Sequence, residues 1–393
     1  MDIYTLDGSF RNNQIIDRYE SFIWTERFNS HGDFELILPG DGGDSAKLAL
    51  GSFISIDDSL RVMKVETSER ITDEDGSVKR KLTGRSLEAV ILESRVAMSI
   101  HASIGAGFNK WRYGGRPLSA ISEFYRILLI ENPLYTADLI PELSSMWQSS
   151  LPLPTGDIPF PDETYSFELD SQNMYETIKL ICETFNLGFR ILKDPQHEQI
   201  HFSVYTGFDR TTGQSNNPPV IFSQSLENVL KTTELESISN LYNVAYVFAQ
   251  NGVAVVYGNG FNSSVSGIER RVLRVMAEDL DIPAGSTLNL AMQRKGLEAL
   301  GQHRSFSGFD GEISQNSSYA YGVDYQLGDL VEIKNDRGWS SHVRVTEQIF
   351  VSDAEGDRQY PTLTTELTIT PGTWLGWPPS EEWVDVSDNW SDV

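Results

Sequence analysis

Apolar and polar positions alternate with a period of two along the first hundred residues. Phe22, Trp24 and Phe28 interleave with Ile23, Thr25 and Arg27, and Asn29-Ser30-His31-Gly32 supplies turn chemistry. Phe34, Leu36 and Leu38 share one face of the next segment, which Pro39-Gly40-Asp41-Gly42-Gly43 ends. Alternation bounded by Gly and Asn predicts an antiparallel meander. Residues 53–56, 62–70 and 78–83 continue it.

The period changes near Arg85. Ser86 can cap a short helix that starts at Leu87, and residues 101–115 are glycine-rich and irregular. Leu118, Ile121, Phe124, Tyr125 and Leu128 fall on one helical face, predicting a helix over 117–130 with Pro117 in its first turn. Residues 148–163, rich in Pro and Ser, read as a linker or long surface loop. Met174, Ile178, Ile181, Cys182 and Phe185 form a second helical stripe, with Ser171 as N-cap and Asn186-Leu187-Gly188 as stop. Residues 189–192 and 199–205 then read as a hairpin. Strand patterning returns at 233–238, 242–248 and 253–257. A last helix is predicted over 286–301, capped by Ser286, with Leu290, Leu297 and Leu300 inward.

Two distant stretches repeat one another. Leu50-Gly51-Ser52-Phe53-Ile54-Ser55-Ile56-Asp57-Asp58 parallels Leu327-Gly328-Asp329-Leu330-Val331-Glu332-Ile333-Lys334-Asn335. Each leads into a second strand-like run, Arg61-Val62-Met63-Lys64-Val65-Glu66 or His342-Val343-Arg344-Val345-Thr346-Glu347. Each run then reaches an acidic glycine turn, Asp73-Glu74-Asp75-Gly76 or Asp353-Ala354-Glu355-Gly356. One β-domain used twice is the expected meaning, and two copies of a barrel in one chain can build a pseudo-symmetric ring.

The formal net charge of −25 opposes nucleic-acid binding, which needs clustered Lys and Arg, and opposes an anionic membrane surface. It suits a surface that other polyanions slide past. The single cysteine, Cys182, lies on a helical stripe and is expected to be a small buried apolar residue. The N-terminal residues lack the hydrophobic run of a signal peptide, and no apolar stretch approaches the roughly 18 residues of a membrane span.

His197-Glu198-Gln199-Ile200-His201 matches H-E-x-x-H. In zinc peptidases a helix brings both histidines onto one face, with the Glu as general base. Here Asp194-Pro195 precedes the motif and Phe202-Ser203-Val204-Tyr205 continues as a strand. Residues four apart on a strand are separated by about 13 Å, so a hairpin turn without a metal is expected. No G-x-S-x-G elbow, Walker A loop or paired-cysteine zinc site occurs. The acidic turns lack the EF-hand ligand order, and carboxylate pairs carry no information in so acidic a chain. No catalytic residue, metal or cofactor is expected.

The C-terminal segment holds Trp374, Trp377, Trp383 and Trp390, four of the chain's eight tryptophans, with Pro371, Pro378 and Pro379. Glu381, Glu382, Asp385, Asp388 and Asp392 are its charges, with no Lys or Arg. Such a segment cannot build its own core. Tryptophans are frequent interface anchors, so these four are the candidate partner-binding residues.

Ser21-Phe22-Ile23-Trp24-Thr25-Glu26-Arg27-Phe28, followed by Gly32-Asp33-Phe34-Glu35-Leu36, resembles the opening of siphophage minor tail proteins of the baseplate-hub type. Val62-Met63-Lys64-Val65-Glu66, Leu82-Thr83-Gly84-Arg85-Ser86-Leu87 and Tyr325-Gln326-Leu327-Gly328-Asp329-Leu330-Val331 are similar to later segments of that family. The likeness spans most of residues 1–370. It implies an α+β, mainly antiparallel β fold: two similar β-barrel hub domains with helical and α/β insertions. The expected divisions are a first barrel over 1–98, an inserted helix and loop over 99–165, and a small α/β domain over 166–230. A second barrel over 231–372 with a helical insertion near 286–301 and an acidic tail over 373–393 complete them. The resemblance also implies a homotrimer whose paired barrels make a pseudo-sixfold ring at the tail tip. Such a ring would adjoin the distal tail (tube-end) protein, the tape measure protein and other tail-tip proteins. DNA would meet it only in transit, and the chain alone would bind no membrane. The alternatives are a tail-tip peptidase or cell-wall hydrolase using His197, Glu198 and His201, and a carbohydrate-binding module using aromatics such as Trp111 or Trp147.

Overall fold

The computed structural model describes residues 1–40, 43–97, 110–131, 139–144, 155–162, 165–170, 172–194, 196–249, 252–258, 260–277, 288–301, 303, 306–313, 319–334 and 340–365. The chain divides into two compact units, one of residues 1–233 with 309–365 and one centred on 234–308.

The first unit opens with seven strands: β1 (Ile3–Leu6), β2 (Asn12–Ile16), β3 (Ser21–Arg27), β4 (Asp33–Pro39), β5 (Phe53–Ile56), β6 (Met63–Thr72) and β7 (Val78–Ser86). The alternation read from sequence is the alternation of burial. Phe22, Trp24, Phe34, Leu36 and Leu38 lie together in a core with Ile54, Met63 and Leu82. Three late strands, Leu330–Lys334, Ser340–Asp353 and Gly356–Thr365, join the same 13-stranded sheet. The joint is the long Ser340–Asp353 strand. Its first half pairs with Leu330–Lys334, its second half pairs with β3 through Phe350↔Trp24, and Gly356–Thr365 pairs with it from Val343 to Asp353.

Both repeats therefore belong to one sheet. Among the described residues the path of that sheet does not close on itself. Hydrophobic alternation says that a strand has a buried face; it does not say which distant strand lies beside it.

Within that sheet the repeat is real at the level of hydrogen bonds. Gly51 (φ +88°) donates to the Val65 carbonyl at 2.8 Å, and Val65 N–H donates back to Ser52 O at 2.8 Å. Gly328 (φ +91°) donates to the Val345 carbonyl at 2.8 Å, and Val345 N–H returns to Asp329 O at 3.0 Å. A bulge follows each valine, between Val65 and Thr67 and between Val345 and Glu347. Ile54, Ile56, Met63 and Val65 are buried in one copy, and Val331, Ile333, Val343 and Val345 in the other. Val65 thus matches Val345, not Thr346 as the ungapped sequence alignment has it. The connections between the paired strands differ in length. A one-residue slip would turn the buried valine face to solvent, so burial sets the register.

The helical part follows α1 (Leu87–Leu92) and contains α2 (Pro117–Tyr125), which continues as a π-helical stretch over Arg126–Glu131, and α3 (Met174–Thr184). The cap of α3 is Asn173, whose side chain accepts from Tyr175 N–H at 2.8 Å. The expected cap, Ser171, lies outside the described residues. The strands Gly188–Asp194 and Gln199–Tyr205 form the predicted hairpin. They share a core with Ile121, Phe124, Ile178, Ile181 and Cys182, where Tyr125 stacks on Phe202 with ring centroids 4.6 Å apart.

The second unit has its own sheet. Val244–Ala249 pairs antiparallel with Gly252–Tyr257 and parallel with Val272–Met276. The helix α4 (Leu288–Gly301) covers one face, packing Met292 and Leu300 on Ala245, Val247, Val256 and Val275. Leu297 is half-buried against the same core. Ser286 lies outside the described residues, and the Leu290 side chain is not described. The three strands, all within the range 231–372 expected for the second barrel, form a sheet of their own.

Candidate functional sites

The H-E-x-x-H letters fall on the hairpin turn, where Asp194 pairs with Gln199 and Glu198 adopts φ +57°. This turn overturns the distance argument made from sequence. His197 sits on the turn, not on the strand, so the chain folds it back toward His201. His197 Nδ1 lies 2.7 Å and His201 Nε2 3.1 Å from the same oxygen, Asp194 Oδ2. Burial opposes ionisation of Asp194. Donation from both rings and from the N–H groups of Gln196 and His197 outweighs it and holds the carboxyl down at about 2. The carboxylate accepts, so both rings donate. Glu198 turns away and pairs with Arg11 at 2.8 Å, half-exposed. The motif's own Glu198 is thus engaged with Arg11, and the carboxylate beside the two rings is that of Asp194. Among the described residues, no group of three or more His, Cys, Asp and Glu is arranged to hold a metal ion.

A second polar cluster ties the first unit together. Arg61 is buried, with Nη1 3.2 Å from Glu88 Oε1, Nη2 donating to Arg27 O at 2.8 Å, and Nε 3.6 Å from Glu26 Oε2. Glu88 Oε1 also accepts from Ile191 N–H at 2.8 Å, and Glu26 from Trp24 Nε1 at 2.9 Å. Tyr321 Oη donates to Glu26 Oε2 at 3.4 Å. Burial opposes the charge of Arg61, and the carboxylates of Glu88 and Glu26 overcome it, so its pKa is raised. The cluster is enclosed by β3, α1, the hairpin and the segment before the late strands. It is a cross-link, and sequence patterning missed it because its members are scattered along the chain.

The side of the 244–276 sheet opposite α4 carries another feature that sequence reasoning missed. Alternate positions there are Tyr246 and Phe248, then Val253, Val255 and Tyr257, then Val272, Arg274 and Met276. Val253 and Val255 are 57% and 41% exposed, and Met276 45%. The sequence reads as strand at 242–248 and 253–257 but not at 272–276; that both faces of these strands are apolar was the available signal.

Trp374, Trp377, Trp383 and Trp390 lie outside the described residues, as does Trp147. Trp111 is on a described strand opposite Leu169, but its side chain is not described. Cys182 is fully buried. Among the described residues no helix is long and apolar enough to cross a membrane.

The family model for siphovirus ReqiPepy6 Gp37-like proteins matches residues 1–363. The chain belongs to that family. Its fold is that of phage tail proteins. The tail protein from Neisseria meningitidis MC58 superposes with a TM-score of 0.56 at 13% identity, covering 95% of this chain and 98% of that one. The prophage MuSo2 43 kDa tail protein from Shewanella oneidensis gives 0.52 at 12% identity, covering 92% and 96%. No curated protein matches the chain in sequence. Identities this low carry the fold alone, so the role of this Gp37-like chain rests on its own residues.

Proposed function

We propose that this Gp37-like protein is a non-enzymatic hub at the phage tail tip, assembled as a homotrimer. The observation that carries this reading is the duplicated unit, with matching hydrogen bonds at Gly51–Val65 and Gly328–Val345. Two related meanders in each of three chains supply six similar wall segments, which is what a ring needs to join a sixfold tube to a threefold tip. On this reading the ring contacts the distal tail protein, the tape measure protein and other tip proteins. The acidic charge lets DNA pass without adhering. Trp374, Trp377, Trp383 and Trp390 anchor the tail segment on a neighbouring subunit.

The test is the mass and symmetry of the purified full-length protein, by light scattering and electron microscopy, alone and with the tube-end protein. A threefold ring is expected. A monomer in both conditions overturns the hub. Deleting residues 373–393 should weaken assembly; an unchanged assembly equilibrium removes the anchoring role from the tryptophans.

A further inference from the structure

Among the described residues α4 packs on one side of the second unit's sheet, and on the other side only its Val244 end is buried while Val253, Val255 and Met276 are exposed. On the other side its central strand presents Tyr246 and Phe248, flanked by Val253, Val255 and Tyr257 and by Val272, Arg274 and Met276. Apolar side chains contiguous across three strands are unlike the scattered apolar residues of an ordinary surface. The charges there are of one sign. The Arg274 guanidinium lies 5.8 Å from the Phe248 ring centroid, and that of Arg270 5.8 Å from Tyr246 and 5.7 Å from Tyr257. No Asp or Glu occupies a strand position on this side.

A chain of net charge −25 repels acidic segments from most of its surface, so an apolar face whose charges among the described strand residues and their ring contacts are Arg274 and Arg270 is selective. The chemistry that fits it is aromatic and acidic together. Residues 373–393 have that composition: four tryptophans, several carboxylates, no Lys and no Arg. Indole rings cover the valines and offer π faces to the guanidinium groups. The carboxylates pair with the same arginines. The residues beyond Thr365 span on the order of 90 Å when extended.

We propose that the open face formed by Tyr246, Phe248, Val253, Val255, Arg274 and Met276 is the seat of the tryptophan-rich acidic segment 373–393 of this same protein. The proposal rests on the reading of that segment as an anchor and names the surface it anchors to.

The test uses protein lacking residues 373–393 and a dye-labelled synthetic peptide of that segment, with binding followed by fluorescence anisotropy. Two variants of the truncated protein alter the face: Arg274→Glu, and Val253→Ser with Val255→Ser. Thermal unfolding first establishes that each is folded. The peptide should bind the parent, and each variant should weaken binding tenfold or more. A peptide with Glu381, Glu382 and Asp385 replaced by Lys should regain affinity for Arg274→Glu. Binding unchanged within twofold in both variants overturns the proposal and leaves the anchor reading intact. Absence of peptide binding also overturns it; if the truncated protein then assembles like the full chain, the anchor reading fails with it.

Discussion

Gly51 and Gly328 occupy equivalent turns, and replacing each with alanine separates backbone strain from packing. Both have positive φ, +88° and +91°, where an L side chain costs about 1–2 kcal/mol. Their surroundings differ. A methyl on Gly51 meets only Lys64 Cε, at 4.0 Å, while one on Gly328 would lie 2.6 Å from Phe28 Cε2 and 3.1 Å from Tyr205 Cε2. Those rings are buried and edge-on to each other, with centroids 5.2 Å apart, so neither can swing aside without disturbing the core. Overpacking of this kind adds about 1–3 kcal/mol. Gly51→Ala is therefore expected to destabilise by about 1–2 kcal/mol and Gly328→Ala by about 2–5 kcal/mol. The midpoint of urea unfolding, followed by circular dichroism, measures both. Thermal melts should agree, at about 2–4 °C per kcal/mol for a unit of this size. Equal effects would refute the packing difference, and a neutral Gly51→Ala would refute the strained-turn reading of the repeat.

Other outcomes follow from the same physics. Glu88→Gln leaves Arg61 buried without its nearest carboxylate charge and is expected to cost about 3–5 kcal/mol, read by urea unfolding; a loss under 1 kcal/mol would show that the cluster contributes little. Asp194, held at about 2 against an ordinary 3.8, contributes stability that is complete above about pH 4 and lost as pH falls toward 2. Asp194→Asn should flatten that part of the acid-unfolding curve, and an identical acid limb in both proteins would count against the double histidine bond. Burial pushes the Cys182 thiol pKa well up, so a thiol reagent should label it only at the rate of unfolding; fast labelling of folded protein would contradict its place in the core.

How far the fold was legible can be judged at particular residues. Phe22, Trp24, Phe34, Leu36 and Leu38 declare a strand pair because a pleated strand turns alternate side chains to one face. The stripe from Met174 to Cys182 declares a helix for the corresponding reason. The glycines at 51 and 328 announced the repeated turn, since positive φ excludes most other residues. The residues flanking H-E-x-x-H place it on a hairpin, but strand spacing does not hold for its histidines, which meet at Asp194. Four residues on a strand are far apart; four residues around a turn are not.

Local patterning thus determined the opening strands, the helices, the repeated turns and the excess of negative charge, because each depends on residues close together in the chain. It missed the strands Lys110–Gly115, in a stretch read as irregular, and Val272–Met276. Tertiary structure alone decided that Phe350 lies opposite Trp24, that Val65 corresponds to Val345, that Asp194 gathers two histidines, and that α4 packs on one face of a sheet whose other face exposes Val253, Val255 and Met276. Those outcomes follow from which distant surfaces bury each other, and a linear pattern of apolar positions does not encode that choice of partner.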